Sequence, residues 1–231
     1  ILDKTDKPLT NGVTYLDRRC SETVKEIKDY IDLKKLYAIS GMPLNQMFSL
    51  PTFLWFRKYK PEVIEKADKY FLFGDYITYM LSGERAIDPP TASRTMFFDA
   101  LNLKWSEEIA ACFNLPIEKF SKVVKIGSMV GKIRASLAKE TGLSEDTYII
   151  MGCHDQVAAS LGSGAVSEGD IMAGEGSTES INLVIGKNSI SEKFMDYQLC
   201  YEPYIEPGLY MTSVAQLTHA TCIRWFVHNF G

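Results

Sequence analysis

The chain has 231 residues, and its 25 basic and 29 acidic side chains give a formal net charge of −4. Hydrophobic residues make up 46% of it and aromatic residues 12%, which excludes a mainly disordered protein. The charge balance provides no basic surface for nucleic acid or for an anionic membrane. No apolar run is long enough for a transmembrane helix, and the first residues lack the apolar segment of a signal peptide.

The cysteines favour a reducing compartment. Their number is odd, they are far apart in the sequence, and no two of them form a Cys-x-x-Cys motif. A disulfide framework and a structural zinc site are therefore disfavoured, and we expect a cytoplasmic protein. Ile1 in place of an initiator methionine predicts that the chain begins inside a longer protein.

The first 70 residues are predicted to contain a hairpin followed by helices. Residues 1–15 have a polar turn between two extended runs, which indicates a hairpin that needs a larger sheet. Apolar residues at helical spacing begin near Ser21, a plausible N-cap. Two further helices are predicted over 51–59 and 61–66, each with a proline in its first turn.

The middle of the chain alternates between short strands and helices. Residues 69–73 are predicted to form a strand, 74–81 a helix that ends at Gly83, and 87–90 a loop. Further helices are predicted over 105–113, 116–120 and 132–141.

An acidic residue follows a predicted buried strand. Residues 148–152 are apolar and extended, and 156–161 have the pattern of a helix, so Asp155 lies at the helix entrance. A carboxylate there is favoured by the helix dipole and can accept a proton from a substrate hydroxyl. The alternative is an ordinary helix cap. Cys153 and His154 precede it, but adjacent strand residues face opposite sides, so a metal site is disfavoured.

The last quarter of the chain is predicted to be a sheet followed by a helix. Strands at 171–173 and 181–185 form a hairpin around the turn at 174–179. Backbone N–H groups of such a glycine-bearing turn can bind phosphate oxygens, although a plain turn is the simpler reading. Further strands are predicted over 197–201 and 209–214, and a helix over 218–230.

A short polar motif lies near the start of the chain. Residues 15–19 read YLDRR, in which Tyr15, Asp17 and the two arginines can line a polyol site by stacking and hydrogen bonding. The alternative is a structural Asp–Arg pair.

Several motifs together resemble the FGGY family of carbohydrate kinases. YLDRR resembles the family's Trp-x-Asp-x-Arg, and GDYITYMLSG over 74–83 resembles its Asp-Tyr-Leu helix. IDPPTASRTMFFD over 87–99, GCHDQ over 152–156 and GSTE over 176–179 resemble three further family motifs in the same order. Each motif alone is unspecific, but five in the right order are specific.

The resemblance implies a two-domain α/β kinase with an actin-like (ribonuclease H-like) fold. It would use ATP and Mg²⁺ to phosphorylate a hydroxyl of a small sugar or polyol, with a ketopentose such as xylulose as the leading expectation. By position, the resemblance implies the following roles: Asp155 as catalytic base, Tyr15, Asp17, Met47 and Gln156 as substrate-binding residues, and Gly176, Ser177 and Thr178 at the ATP phosphates.

The resemblance also implies a domain division. Residues 1–166 correspond to most of the N-terminal domain and 167–231 to the start of the C-terminal domain. The family's first phosphate motif, Asp-x-Gly-Thr, and its adenine-binding part are absent from the chain, so we expect the segment alone to be inactive. A homodimer is a further expectation.

Two departures from the family pattern leave alternatives open. Glu179 replaces a common glycine and adds negative charge near the phosphates, which motivates a catalytically silent sugar-binding or regulatory relative as the alternative. His154 occurs in only some branches of the family. An actin- or chaperone-like ATPase shares the architecture, but the motifs at 15–19 and at Asp155 and Gln156 argue against it.

Overall fold

The computed structural model describes residues 1–176, 179–216 and 218–231. The chain divides into two compact units, Ile1–His154 and Asp155–Gly231. The predicted domain boundary after residue 166 stays a prediction. Among the helices of the described ranges, none combines the length and the hydropathy that a bilayer crossing requires. No disulfide joins the five cysteines, all of which lie in those ranges.

The first unit is mainly helical. Its α-helices, in chain order, are α1 (Ser21–Glu26), α2 (Leu33–Ser40), α3 (Ser49–Tyr59), α4 (Pro61–Lys66), α5 (Phe73–Ser82), α6 (Pro89–Ser93), α7 (Glu107–Cys112) and α8 (Ala135–Thr141). Two 3₁₀ turns, Ile27–Asp29 and Ile117–Lys119, extend or connect them. The helices predicted near 21, 51, 61 and 74 are confirmed.

Short strands pair in twos within this unit. They are β1 (Ala86–Ile87), β2 (Phe98–Asp99), β3 (Lys104–Trp105), β4 (Lys122–Val123), β5 (Met129–Lys132) and β6 (Tyr148–Ile150). β1 pairs with β4 in parallel, whereas the pairs β2–β3 and β5–β6 are antiparallel. The predicted strand before Asp155 is confirmed, but Tyr148 and Ile150 are more than half exposed, so it is not a buried strand.

Capping side chains explain where several of these helices begin. The Asp32 carboxylate accepts from the N–H of Lys35 at the start of α2, and Ser106 Oγ accepts from the N–H of Ile109 at the start of α7. At the start of α6, Asp88 Oδ1 accepts from the N–H of Thr91. Each acceptor satisfies an N–H group that has no partner inside the helix.

Aromatic rings form the centre of the first unit. Phe97 contacts Phe53, Phe113 and Phe120, with ring centroids 5.7–6.1 Å apart. Trp105 stacks on Phe120 at 4.7 Å and donates from Nε1 to the carbonyl of Ser121. These contacts bury large apolar areas and hold α3, α7 and the β2–β3 pair together.

Three predicted elements of the first unit are wrong. No strand covers 69–73, where Leu2 makes isolated bridges to both Pro8 and Lys69 and the chain then enters α5. Residues 13–15 are not a strand. The predicted loop at 87–90 contains the end of β1 and the start of α6, because Asp88 followed by Pro89 is an N-cap and first-turn pair.

The second unit contains an antiparallel sheet and several helices. In the described ranges 155–176, 179–216 and 218–231, the helices are α9 (Asp155–Gly162), α10 (Lys193–Asp196) and α11 (His219–Phe230). The strands are β7 (Ile171–Glu175), β8 (Glu179–Gly186), β9 (Glu202–Pro203) and β10 (Leu209–Gln216), in the order β7-β8-β10-β9. The predicted β7–β8 hairpin and the last helix are confirmed.

One predicted strand of the second unit is wrong. Residues 197–201 follow α10 as a turn, and Gln198 has a φ of 56°, which interrupts any extended run. The apolar side chains of Cys200 and Tyr201 are buried, so the hydrophobic pattern reflects burial of an irregular segment. The Tyr204 hydroxyl donates to the carbonyl of Ala165 at 2.6 Å, which ties this segment to the chain after α9.

A carboxyl group is buried beside the aromatic centre of the first unit. Asp75 is 3% exposed; its carboxylate accepts from the Leu72 N–H at 2.7 Å and from Ser121 Oγ at 2.6 Å. Burial raises the pKa of Asp75 to about 7, against the opposing effect of these hydrogen bonds. The folded protein therefore holds a proton that the unfolded chain releases at lower pH.

We expect Asp75→Asn to remove a pH dependence of stability. Because the pKa of Asp75 is higher in the fold than in the unfolded chain, its stabilisation is present below about pH 4 and lost as the pH rises through about 7. Between pH 5 and 8 the parent protein should lose about 2–3 kcal/mol of unfolding free energy relative to Asp75→Asn. Urea titrations followed by tryptophan fluorescence measure this difference.

The control for this experiment is Asp146→Asn, since Asp146 is an exposed carboxylate paired with Lys132. Its stability curve should keep the pH slope of the parent. Parallel curves for the parent and Asp75→Asn would contradict the prediction.

Candidate functional site

Asp155 is the first residue of α9, as the sequence predicted. Its side chain is exposed, and its Oδ1 accepts from the N–H of Gln156 at 2.7 Å. A carboxylate at the N-terminal end of a helix of this length is stabilised by the helix dipole. The arrangement leaves the carboxylate accessible to a substrate hydroxyl, while the backbone of α9 fixes where it lies.

Gln156 is held by the sheet of its own unit. Its Oε1 accepts from Ser180 Oγ at 2.9 Å and from Asn182 Nδ2 at 3.1 Å. Both donors lie on β8, and Asn182 is 1% exposed. The side-chain oxygen of Gln156 thus accepts hydrogen bonds from β8. Its Nε2 is the group that can donate to a ligand.

The predicted phosphate turn connects β7 to β8. Gly176 lies at the exposed end of this hairpin, whereas Ser177 and Thr178 lie outside the described residues. Glu179, the first residue of β8, has its Oε2 3.0 Å from Nδ1 of His219, the first residue of α11. The negative charge that departs from the family pattern therefore has an imidazole partner.

The motif at 15–19 forms a compact exposed loop. Asp17 accepts from the backbone N–H of Arg19 and from its guanidinium, at 2.7–2.9 Å. Arg19 in turn lies 4.9 Å from the ring centroid of Trp55. Tyr15 is 64% exposed. Asp17 therefore shapes the loop through Arg19, and its role as a substrate-binding residue stays a prediction.

Hydrogen bonds connect the two residues that directly follow this loop to the segment that contains Met47. Cys20 Sγ donates to the carbonyl of Gln46 at 3.2 Å, and Ser21 Oγ donates to Gln46 Oε1 at 2.5 Å. Met47 follows with a side chain that is 43% exposed. The structure thus joins two segments that the sequence predicted separately as substrate-binding.

Two residues that the sequence analysis did not assign contact His154. Nη2 of Arg94 lies 3.2 Å from Nε2 of His154, and Asp88 Oδ1 accepts from the His154 N–H at 3.3 Å. Burial raises the pKa of Asp88, while its hydrogen bonds with Thr91 and His154 oppose that rise. Both residues lie in the motif at 87–99, so the motif itself was the available signal.

The described residues contain no group of three or more His, Cys, Asp or Glu side chains that could hold a metal ion. They therefore do not fit a magnesium site built from protein side chains alone.

We expect Asn182→Ala to destabilise the second unit and release Gln156. The substitution removes a buried amide and leaves Gln156 Oε1 with one donor, Ser180, so unfolding free energy should fall by about 1 kcal/mol. Chemical denaturation measures this loss. The exposed Asn188→Ala is the matched control and should change stability little. Equal effects of the two substitutions would contradict the anchoring role of Asn182.

The sequence is similar to known sugar kinases. The model of the FGGY family of carbohydrate kinases, N-terminal domain, matches residues 1–162. A gluconokinase of Bacillus subtilis is 29% identical over 192 residues, which are 83% of this chain and 37% of that protein. A xylulose kinase of Lactococcus lactis is 25% identical over 233 residues, covering 100% of this chain and 45% of that protein.

The structure is similar to solved sugar kinases. The ligand-bound xylulose kinase from Lactobacillus acidophilus superposes with a TM-score of 0.90 at 22% identity, over 99% of this chain and 46% of that one. This similarity shows the actin-like, ribonuclease H-like fold of these kinases. The chain spans less than half the length of the relatives it matches. With the family match covering well over half of its residues, the chain belongs to the FGGY family of carbohydrate kinases.

Proposed function

We propose that the protein carrying this chain transfers the γ-phosphoryl group of ATP to a hydroxyl of a small open-chain sugar or polyol. The observation that carries the proposal is Asp155, an exposed carboxylate at the first residue of α9 in a chain of this kinase family. Tyr15, Met47 and Gln156 are proposed to bind the sugar, and Gly176 with Ser177 and Thr178 to bind the ATP phosphates.

In the proposed reaction, Asp155 accepts the proton of the attacking hydroxyl as the oxygen bonds to the γ-phosphorus and ADP leaves. Because the transition state of phosphoryl transfer is loose, orienting the hydroxyl contributes more than strong basicity. The fixed backbone position at the start of α9 and the accessibility of the carboxylate both support this role. Magnesium bound to ATP would neutralise phosphate charge.

The sugar is proposed to be a ketopentose such as xylulose. The matched relatives include a gluconokinase and a xylulose kinase, so an aldonate is the competing substrate within the same chemistry. Both are open-chain polyols, which an exposed aromatic ring such as Tyr15 and an amide donor such as Gln156 Nε2 can bind. The homodimer stays a prediction.

Kinase activity is favoured over a catalytically silent relative. That alternative was based on the extra charge of Glu179 near the phosphates. The carboxylate of Glu179 lies 3.0 Å from Nδ1 of His219, which can donate a hydrogen bond to it inside the same unit. The Glu179 carboxylate therefore has a hydrogen-bond partner beside the phosphate turn.

The proposal is tested by a phosphotransfer screen on the protein at its full native length, with pentuloses, hexuloses, polyols and aldonates. Asp155→Asn keeps an acceptor for the Gln156 N–H but loses the base, so we expect kcat to fall by about 10²–10⁴ while the KM for the sugar changes little. Coupled detection of ADP with product analysis by mass spectrometry measures both.

Asp146→Asn serves as the surface control and should turn over normally. No sugar-dependent transfer with any acceptor, or normal turnover by Asp155→Asn, would refute the proposed function.

We expect His219→Ala to weaken ATP binding by leaving the Glu179 carboxylate without its imidazole partner. A carboxylate without this hydrogen-bond donor repels the nearby phosphates more strongly, which should raise the KM for ATP by about fivefold, with the KM for the sugar unchanged. Adding Glu179→Gln to His219→Ala removes the charge and should return the KM for ATP towards the parent value. Steady-state kinetics of the parent and the two variants measure this coupling, and a double variant no better than His219→Ala would contradict it.

A further inference from the structure

Both ends of one short helix contact the same residue of the first unit. Asp88 caps the start of α6, and Arg94 directly follows its last residue, Ser93. Asp88 Oδ1 accepts from the backbone N–H of His154 at 3.3 Å, and Arg94 Nη2 lies 3.2 Å from Nε2 and 3.5 Å from Nδ1 of the His154 ring. His154 is therefore held at its backbone and at its side chain by partners about 60 residues earlier in the chain.

The contact between Asp88 and the backbone of His154 is rigid, because the Asp88 carboxylate is buried and accepts from two N–H groups. Asp88 is 5% exposed, and the Oδ1 that accepts from His154 also accepts from the Thr91 N–H at 3.0 Å. Because Thr91 belongs to α6, the shared oxygen of Asp88 links the backbone of His154 to the first turn of that helix. Moving the backbone of His154 would leave a buried carboxylate short of one donor, which is costly.

Residues at the start of α3 hold Arg94 in place. The carbonyl of Arg94 accepts from the N–H of Ser49 at 3.3 Å, and its guanidinium carbon lies 5.8 Å from the ring centroid of Phe48, which is buried. The start of α3 therefore supports Arg94. Because a guanidinium carries only donors, the ring nitrogen of His154 that it contacts must act as an acceptor. Arg94 thus orients the imidazole ring of His154.

We propose that Arg94 is a positioning residue of the phosphoryl transfer, acting through His154 on Asp155, the next residue in the chain. The inference rests on the proposed role of Asp155 as the base. Two anchors on His154 restrict the peptide that leads into α9, and a base that must lie within hydrogen-bond reach of a hydroxyl is sensitive to displacements of about 1 Å. Asp88 supplies the backbone anchor and Arg94 the side-chain anchor.

The test compares Arg94→Met and Arg94→Lys in the protein at its full native length. Arg94→Met keeps the packing on Phe48 but cannot donate, so kcat should fall about 10- to 100-fold with the KM for ATP within about twofold of the parent. Arg94→Lys retains one donor of the right charge and should recover part of the lost kcat. Arg85→Met is the matched control, because Arg85 is a half-buried arginine of the same unit that donates to the carbonyls of Glu118 and Phe120.

A double-variant cycle separates positioning from a general loss of stability. His154→Phe removes the imidazole nitrogens that Arg94 contacts but keeps the backbone N–H that donates to Asp88. If Arg94 acts through His154, Arg94→Met should lower kcat much less in the His154→Phe background than in the parent. Full additivity of the two substitutions would overturn the proposal, as would parent kcat in both Arg94 variants.

Amide hydrogen exchange provides a readout that does not need activity. Arg94→Met should increase the exchange rate of the amides at 154 and 155 by about tenfold, with the amides of α7 unchanged, and Arg85→Met should not. Unchanged exchange at 154 and 155 overturns the positioning role even if no acceptor sugar is found. Increased exchange without any phosphotransfer by the parent protein would support the anchor and refute the proposed function instead.

Discussion

The Asp88 carboxylate joins parts of the first unit that are 66 residues apart in sequence. One oxygen receives the N–H that opens α6 and the N–H of His154, the residue before α9. A buried carboxylate needs such donors, because an unsatisfied charge in a dry environment is strongly disfavoured. The position of the peptide that leads to Asp155 therefore depends on whether α6 begins where it does.

The aromatic centre of the first unit makes this burial possible. Ala92 of α6 and Phe98 of β2 are fully buried together with Ile87 of β1, and Trp105 packs against them. Close packing of these side chains leaves the segment from 87 to 99 little freedom to shift. Its polar members, Asp88 and Arg94, can then act as fixed points. Burial of apolar side chains thus determines the geometry of the polar contacts to His154.

An element of the fold could be predicted from the sequence when neighbouring residues specify it. Helices with a cap or a proline in the first turn, such as Pro61–Lys66, and the β7–β8 hairpin could be predicted, since neighbouring residues specify them. The order of the five motifs predicted the family and the position of Asp155 at the start of α9. The strand predicted at 69–73 is wrong, because this segment makes an isolated bridge, from Lys69 to Leu2, in place of continuous strand pairing. Pairing between distant segments leaves no local pattern in the sequence.

The same distinction explains why single departures from a motif are poor guides to activity. Glu179 read alone adds a negative charge to a turn that should attract phosphate. In the fold its carboxylate meets His219, which lies 40 positions later and begins the helix after β10. Whether a charge repels a phosphate depends on the charges and donors around it, and those come from other elements. A substitution in a binding motif therefore has to be interpreted together with the residues that the fold places against it.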